Sequence, residues 1–272
     1  MDGKTIKSKM QAGRDFVRMP IEDESYMSDQ ELKKPQPPLF KEPISDQRIA
    51  LPMDFSDLSI DNDFLHIINS RASHRVYTQQ KMTLLELSYL LWCSQGVKTI
   101  RGQKYATIRT VPCGGARHEF ECYMALQNIE GLSSGLYHYL PQFHALELIS
   151  KRDDIPSFIS DSLAGQSWAS KANAVFYYSY VCYRSEWRYG IYSHRVVLMD
   201  SGHITENVYL AATSIQLGAC AIGYIDEEVL DKAFALDGKE EFMFYACPVG
   251  TIDPDDAQKE DNFYSFVKEQ GL

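Results

Sequence analysis

The sequence predicts an α+β domain on three observations. Two capped apolar helices come first, five runs rich in aromatic and β-branched residues follow, and a long apolar helix separates the last two runs. With 272 residues, 44% hydrophobic and 12% aromatic, the chain can fill a sizeable core. No strand leads into a glycine-rich phosphate loop, so a dinucleotide-binding βαβ unit is not expected.

Six of the eleven prolines (Pro20, Pro35, Pro37, Pro38, Pro43 and Pro52) lie in the first 52 residues, where apolar periodicity is weak. Proline fixes φ and removes a donor, so residues 1–52 are expected to form an extended arm and residues 53–272 the folded domain. In a dimer, the neighbouring protomer is the natural surface for such an arm. Asp61 and Asn62 stand where they can cap a helix that carries Phe64, Leu65, Ile67 and Ile68 into Arg71. Thr83 and Glu86 have capping-box spacing, which predicts a second helix through Leu87, Leu90 and Leu91 ending near Gly96.

Strands are expected at 120–129, 135–140, 144–149, 174–183 and 241–249. Pro141, Gln142 and Phe143 join the second and third as a hairpin. A long helix over Ser201–Leu217 follows from the spacing of Ile204, Val208, Ala211, Ala212 and Ile215. Asp226 caps a shorter helix with Val229, Leu230, Ala233 and Phe234 on one face.

A formal net charge of -10 and a pI near 5.2 argue against nucleic acid, because no excess of Lys and Arg is available to neutralise phosphates. The charged start has no apolar signal stretch and no run has bilayer-spanning length, so a cytoplasmic protein without membrane association is expected. Six cysteines without a C-x-x-C pair predict neither a disulfide framework nor a metal site.

Four segments carry candidate chemistry. Arg71-Ala72-Ser73-His74-Arg75 sets two guanidinium groups around a small hydroxyl, which suits a phosphate if the segment forms a helical turn, although two arginines at this spacing are more often a solvated helix face. Pro112-Cys113-Gly114-Gly115 lets a flat ligand approach the backbone, or makes an ordinary turn. Arg188-Tyr189 precedes Asp200-Ser201-Gly202-His203: Tyr189 is able to give a proton and Arg188 to hold an anion, while Asp200 or Ser201 can simply cap a helix. Ala221-Ile222-Gly223 is a small-residue run that admits a planar ring or a tight connection.

In order and spacing, RASHRVY, RTVPCGGARHEFECY, GLYHYLPQFHALE, MDSGHITENVYLAATSIQLGACAIGYID and FYACPVG resemble the nitroreductase superfamily. They are most similar to its SagB-type dehydrogenase branch, which oxidises peptide azolines to azoles. The resemblance covers roughly residues 60 to 250 and implies a nitroreductase-like FMN-binding fold, antiparallel-rich with flanking helices, built as a homodimer. It implies that Arg71, Ala72, Ser73 and Arg75 hold the FMN phosphate. Pro112, Cys113 and Gly114 would line the isoalloxazine from one subunit, and Ala221, Ile222 and Gly223 from the other side.

The implied activity is two-electron hydride transfer on a small-molecule or peptide substrate, with NAD(P)H as donor in the reductase direction. Where the azoline dehydrogenases carry a Lys-Tyr pair, this sequence reads Arg188-Tyr189, and arginine keeps its proton near neutral pH. After the final strand, where many relatives place a basic residue for the phosphate, it reads Thr251-Ile252-Asp253. Two alternatives follow: an inactive flavin-fold subunit of a peptide-modifying complex, and an NAD(P)H-dependent nitro or quinone reductase.

Overall fold

A computed structural model describes residues 3–18, 26–78, 80–253 and 257–271. After helix α1 (Gly3–Arg18), the short strand β1 (Ile49–Ala50) leads to α2 (Phe64–Ser70) and α3 (Leu84–Gln95). Strands β2 (Val97–Arg101) and β3 (Ala106–Arg109) form a separate hairpin. Next come β4 (Phe120–Leu126), β5 (Gly135–Leu140), β6 (Ala145–Lys151), α4 (Ile155–Ser162), β7 (Ala174–Val181) and α5 (Cys182–Tyr189). The chain continues through α6 (Ser193–Ser214), β8 (Leu217–Ala219), α7 (Glu227–Ala233), β9 (Glu241–Thr251), α8 (Ala257–Phe263) and α9 (Ser265–Glu269).

One seven-stranded sheet, in the order β1-β6-β5-β4-β7-β9-β8, organises the molecule, and every neighbouring pair in it is antiparallel. Its central strands are buried on both faces, which explains runs without polar alternation. Along β7, Phe176, Tyr178 and Tyr180 enter the core shared with α3 and α6, while Val175 and Tyr177 face the core shared with α4 and α7. Each such side chain contributes roughly 1.5–3 kcal/mol by leaving water. The result is the α+β architecture expected, with α6 laid along one face and carrying most of the candidate site.

Local rules hold where the determinants are local. Thr83 and Glu86 make the capping box, and the α3 cap at Gly96 falls where expected. Leu140 pairs with Ala145 across the predicted hairpin.

Other expectations are corrected. Asp63, not Asp61 or Asn62, caps α2, accepting the His66 N–H at 3.0 Å, while the Asp61 carboxylate pairs with the His66 ring. Residues 3–18 are helical and not extended, because no proline precedes Pro20 and the segment is rich in helix formers. Residues 26–50 do run irregularly, but over this chain's own surface: Gln30 N–H donates to the Trp187 carbonyl, Trp187 Nε1 to the Lys34 carbonyl, and Ile44 N–H to Glu147.

The run read as one strand over 174–183 ends at Val181, and α5 begins at Cys182, from where buried Cys182 and Ser185 recur at helical spacing. Helix α6 starts at Ser193, eight residues before the expected Ser201, directly after a turn at Gly190 whose φ of 51° favours glycine.

Candidate active site

Helix α2 ends at Ser70, and Arg71 leaves it in extended conformation (φ -56°, ψ 124°). The expected helical turn over Arg71–Arg75 is therefore absent. Ser73 instead bridges Ala219 in parallel, and His74 N–H donates to the Ala219 carbonyl at 2.9 Å. This pins the segment to the sheet edge, facing α6. From α6, the Tyr209 hydroxyl sits 3.0 Å from Ser73 Oγ and accepts the Ala221 N–H at 2.7 Å. The Arg71 guanidinium lies over the Tyr209 ring, 5.4 Å from its centroid.

Arg71, Ser73 and Ala221 thus converge on one tyrosine. Ala72 is exposed. Arg75 diverges from Arg71: it is packed among the rings of Trp168, Phe263 and Tyr264 and bonded to the Tyr264 hydroxyl. Beside Tyr209, a cavity of about 540 Å³ runs along α6 between Ser201, Thr205 and Glu206 on one side and Ala221, Ile222 and Gly223 on the other.

The second cluster lies further towards the start of α6. Asp200 Oδ2 accepts the Gly114 N–H at 2.8 Å, fixing the turn that follows exposed Pro112. Asp200 caps no helix; it is buried within α6. Cys113 Sγ donates to Glu119 Oε2 at 3.1 Å and accepts the His118 N–H at 3.0 Å. Arg188 and Tyr189 close over this turn so tightly that a Cβ at Gly115 would stand 2.3 Å from Arg188 Nε and 2.8 Å from the Tyr189 hydroxyl. Arg188 in turn donates to Gln30 Oε1 at 2.9 Å and to the Tyr105 hydroxyl at 3.0 Å. Burial opposes its charge, but bonding to Tyr189 and attraction from Tyr105 outweigh burial and raise its pKa.

Within one chain the two clusters do not meet. Asp200 and Tyr209 are nine helical residues apart, about 13 Å along the α6 axis. The surface of α6 here exposes Leu198, Met199 and Gly202.

Several groups in the site escaped the sequence reading. Tyr209 sits in an otherwise small and aliphatic helix stripe, a substitution of size that is the signal available for it. Glu119 belongs to no local motif, yet it is fully buried, and a carboxylate oxygen of it lies within 4.8 Å of Cys113 Sγ and of an Asp200 carboxylate oxygen. Burial first, and then the Asp200 charge, push the Glu119 carboxyl up to about 7. Burial, Glu119 and Asp200 push the Cys113 thiol far above its ordinary value.

The family model for nitroreductases matches residues 68–251. The chain belongs to the nitroreductase family. Among relatives, MJ1384 of Methanocaldococcus jannaschii, named as a nitroreductase, is 31% identical over 182 residues, covering 66% of this chain and 86% of its own. The trifolitoxin-processing protein TfxB of Rhizobium leguminosarum bv. trifolii is 30% identical over 56% of this chain and 43% of its own. The microcin B17-processing protein McbC of Escherichia coli is 28% identical over 44% of this chain and 46% of its own. The chain therefore spans under half the length of these two processing proteins, whose presence agrees with the resemblance to the SagB-type branch.

Among solved structures, a protein named as a nitroreductase from Ralstonia eutropha JMP134 superposes with a TM-score of 0.62 at 25% identity, covering 81% of this chain and 96% of that one. The Escherichia coli microcin synthetase McbBCD complex contains a chain of the same fold, with a TM-score of 0.56 at 18% identity over 93% of this chain and 95% of that chain. The nitroreductase fold and an oxidoreductase family are thereby established. Among the described residues, no helix is long and apolar enough to cross a membrane.

Proposed function

We propose that this chain is an FMN-dependent oxidoreductase whose site is completed by a second copy. The convergence of Arg71, Ser73 and the Ala221 amide on Tyr209 carries the reading. Tyr209 accepts from Ala221, so its own proton is available to Ser73 Oγ, and the Ser73 hydroxyl hydrogen is left to meet an anion. Burial keeps the Tyr209 hydroxyl neutral by raising its pKa. Arg71 adds a guanidinium that pairs with no carboxylate among the described residues, and this donor set fits the FMN phosphate. Arg75 joins it only by leaving its aromatic packing.

The Ala221–Gly223 wall supports the ring placement, since a Cβ at Gly223 would meet nothing within 4 Å. Pro112, Cys113 and Gly114 form the opposite wall, about 13 Å away along α6, and the second copy supplies it. Bound there, FMN supplies two-electron hydride chemistry. Tyr189 is the substrate-side acid or positioning group, and Arg188, permanently charged and held by Gln30 and Tyr105, holds an anionic part of the substrate. The names of TfxB and McbC, processing proteins of trifolitoxin and microcin B17, support a peptide among the substrates, and the resemblance to the SagB-type branch supports oxidation as the direction.

Purified protein that is colourless and cannot be reconstituted with FMN would overturn this reading. Arg71→Ala should sharply reduce flavin retention, and unchanged occupancy would refute the phosphate assignment. Rapid anaerobic bleaching by NADH or NADPH would identify a nitro or quinone reductase. A second reading, a flavin-fold binding subunit without turnover, is favoured by the engagement of Arg188 with Gln30 and Tyr105 where an ionisable lysine would be needed as a base. Bound flavin that neither NAD(P)H nor any peptide changes would support it.

A further inference from the structure

Helix α1 has no buried residue, yet it is strongly two-sided. Ile6, Met10, Phe16 and Val17 are each 43–56% exposed and recur on one side, while Lys4, Lys7, Arg14 and Arg18 fall on the neighbouring side. A helix of this length is marginal in water by itself, so it needs a surface. Residues 3–18 hold five basic and one acidic residue, a charge of +4; with a total of -10, the rest of the chain carries -14. The surface α1 needs is therefore apolar and acidic.

Residues 49–70 supply both properties. They contain Asp54, Asp57, Asp61 and Asp63 and no Lys or Arg. Beside these, α2 exposes Phe64 and Leu65 at 66% and 68%. Asp61 is engaged by His66 and Asp63 caps α2, while Asp54 and Asp57 are exposed.

We propose that α1 of one copy docks on the Asp54–Ile68 face of a second copy. This rests on the two-copy reading of the site above. Completing each site brings the Asp200 end of one α6 to the Tyr209 end of the other, so the two helices run antiparallel. The Arg18 carbonyl, where α1 ends, accepts from Arg195 near the start of α6, and the Asp61 N–H donates to the Ser214 carbonyl at its end. Within one copy these points are about 28 Å apart along α6. Antiparallel pairing brings the α1 of one copy beside the α2 of the other. An anionic lipid surface is the poorer occupant, because it repels a body of charge -14.

The test mixes full-length Met10→Cys and Leu65→Cys chains and oxidises them, each variant alone serving as control. A disulfide-linked dimer specific to the mixture is expected. In sedimentation at physiological salt, combined Lys4→Glu, Lys7→Glu and Arg14→Glu should weaken dimerisation about tenfold, and adding Asp54→Lys and Asp57→Lys should restore it. A dimer that gives no mixed cross-link and keeps its affinity after charge reversal overturns the docking alone. So does an α1 that binds anionic vesicles while dimer affinity is unchanged. A wild-type chain that stays monomeric with flavin bound overturns the two-copy reading itself.

Discussion

His138 Nε2 lies 3.1 Å from the Glu121 carboxylate inside the sheet, with its Nδ1 2.7 Å from Glu147. Both ring nitrogens face carboxylate oxygens, an arrangement that favours the imidazolium form of the ring. Glu121 also bonds Arg184 on α5, and the other Glu147 oxygen accepts the Ile44 and Ser45 amides. One buried ionic chain therefore ties the N-terminal segment, across β6, β5 and β4, to the helix bearing Arg188 and Tyr189.

Burial lowers the His138 pKa, but its bonds and attraction to Glu121 and Glu147 more than offset this, leaving it raised above 6.5. The stabilisation is then fully present below about pH 6.5 and is lost as pH rises through the folded value. Urea midpoints should decline on the alkaline side. His138→Gln should cost about 3 kcal/mol at pH 6 and flatten that decline; a variant with an unchanged pH profile would refute the imidazolium.

Glu119 works in the same pH range for a different reason. Its folded pKa, pushed up to about 7 by burial and Asp200, exceeds the ordinary 4.5, so the folded state binds this proton more tightly. Stability falls as pH rises from about 4.5 through 7. Glu119→Gln should raise stability by about 1–3 kcal/mol at pH 8 and change little at pH 5, as read by thermal denaturation. Equal shifts at both pH values would show that burial of a charge is not the cause.

What could be read from the sequence follows from the reach of each determinant. The α3 cap joins residues three apart, Thr83 and Glu86, and the hairpin after Leu140 closes within five, so both were legible. Ser73 finds Tyr209 136 positions later and Gly114 finds Asp200 86 later, and no local pattern announces either meeting. The helical turn expected over Arg71–Arg75 does not form, because Arg71 leaves α2 for the sheet edge, where Ser73 pairs with Ala219. Gln30 and Tyr105, which hold Arg188, lay in an arm and a hairpin that periodicity did not resolve.

The surroundings of Cys113 make its thiol a poor nucleophile. Its thiol donates to Glu119, and burial together with Glu119 and Asp200 raises its pKa, so thiolate is scarce. Iodoacetamide at pH 8 should modify Cys113 far more slowly than free cysteine. Cys113→Ser should keep flavin content and turnover within a few-fold. Loss of turnover with flavin retained would reassign the thiol to the chemistry.

Gly115 measures how closely Arg188 and Tyr189 are seated. Its φ of 57° disfavours any side chain, and an added Cβ would collide with Arg188 Cδ and Nε at 2.3 Å and approach the Tyr189 hydroxyl at 2.8 Å. Gly131 is the control, since its φ of 76° carries the same backbone penalty while nothing lies within 4 Å of its Cβ position. Both alanine variants should lose about 1 kcal/mol from backbone strain. Gly115→Ala should lose a further 1–3 kcal/mol from overpacking and also depress turnover, because Arg188 must move away from Gln30 and Tyr105 to admit the methyl group. Gly131→Ala should leave turnover intact. If the two variants match in both stability and turnover, the packing of Arg188 on this turn contributes nothing to the site.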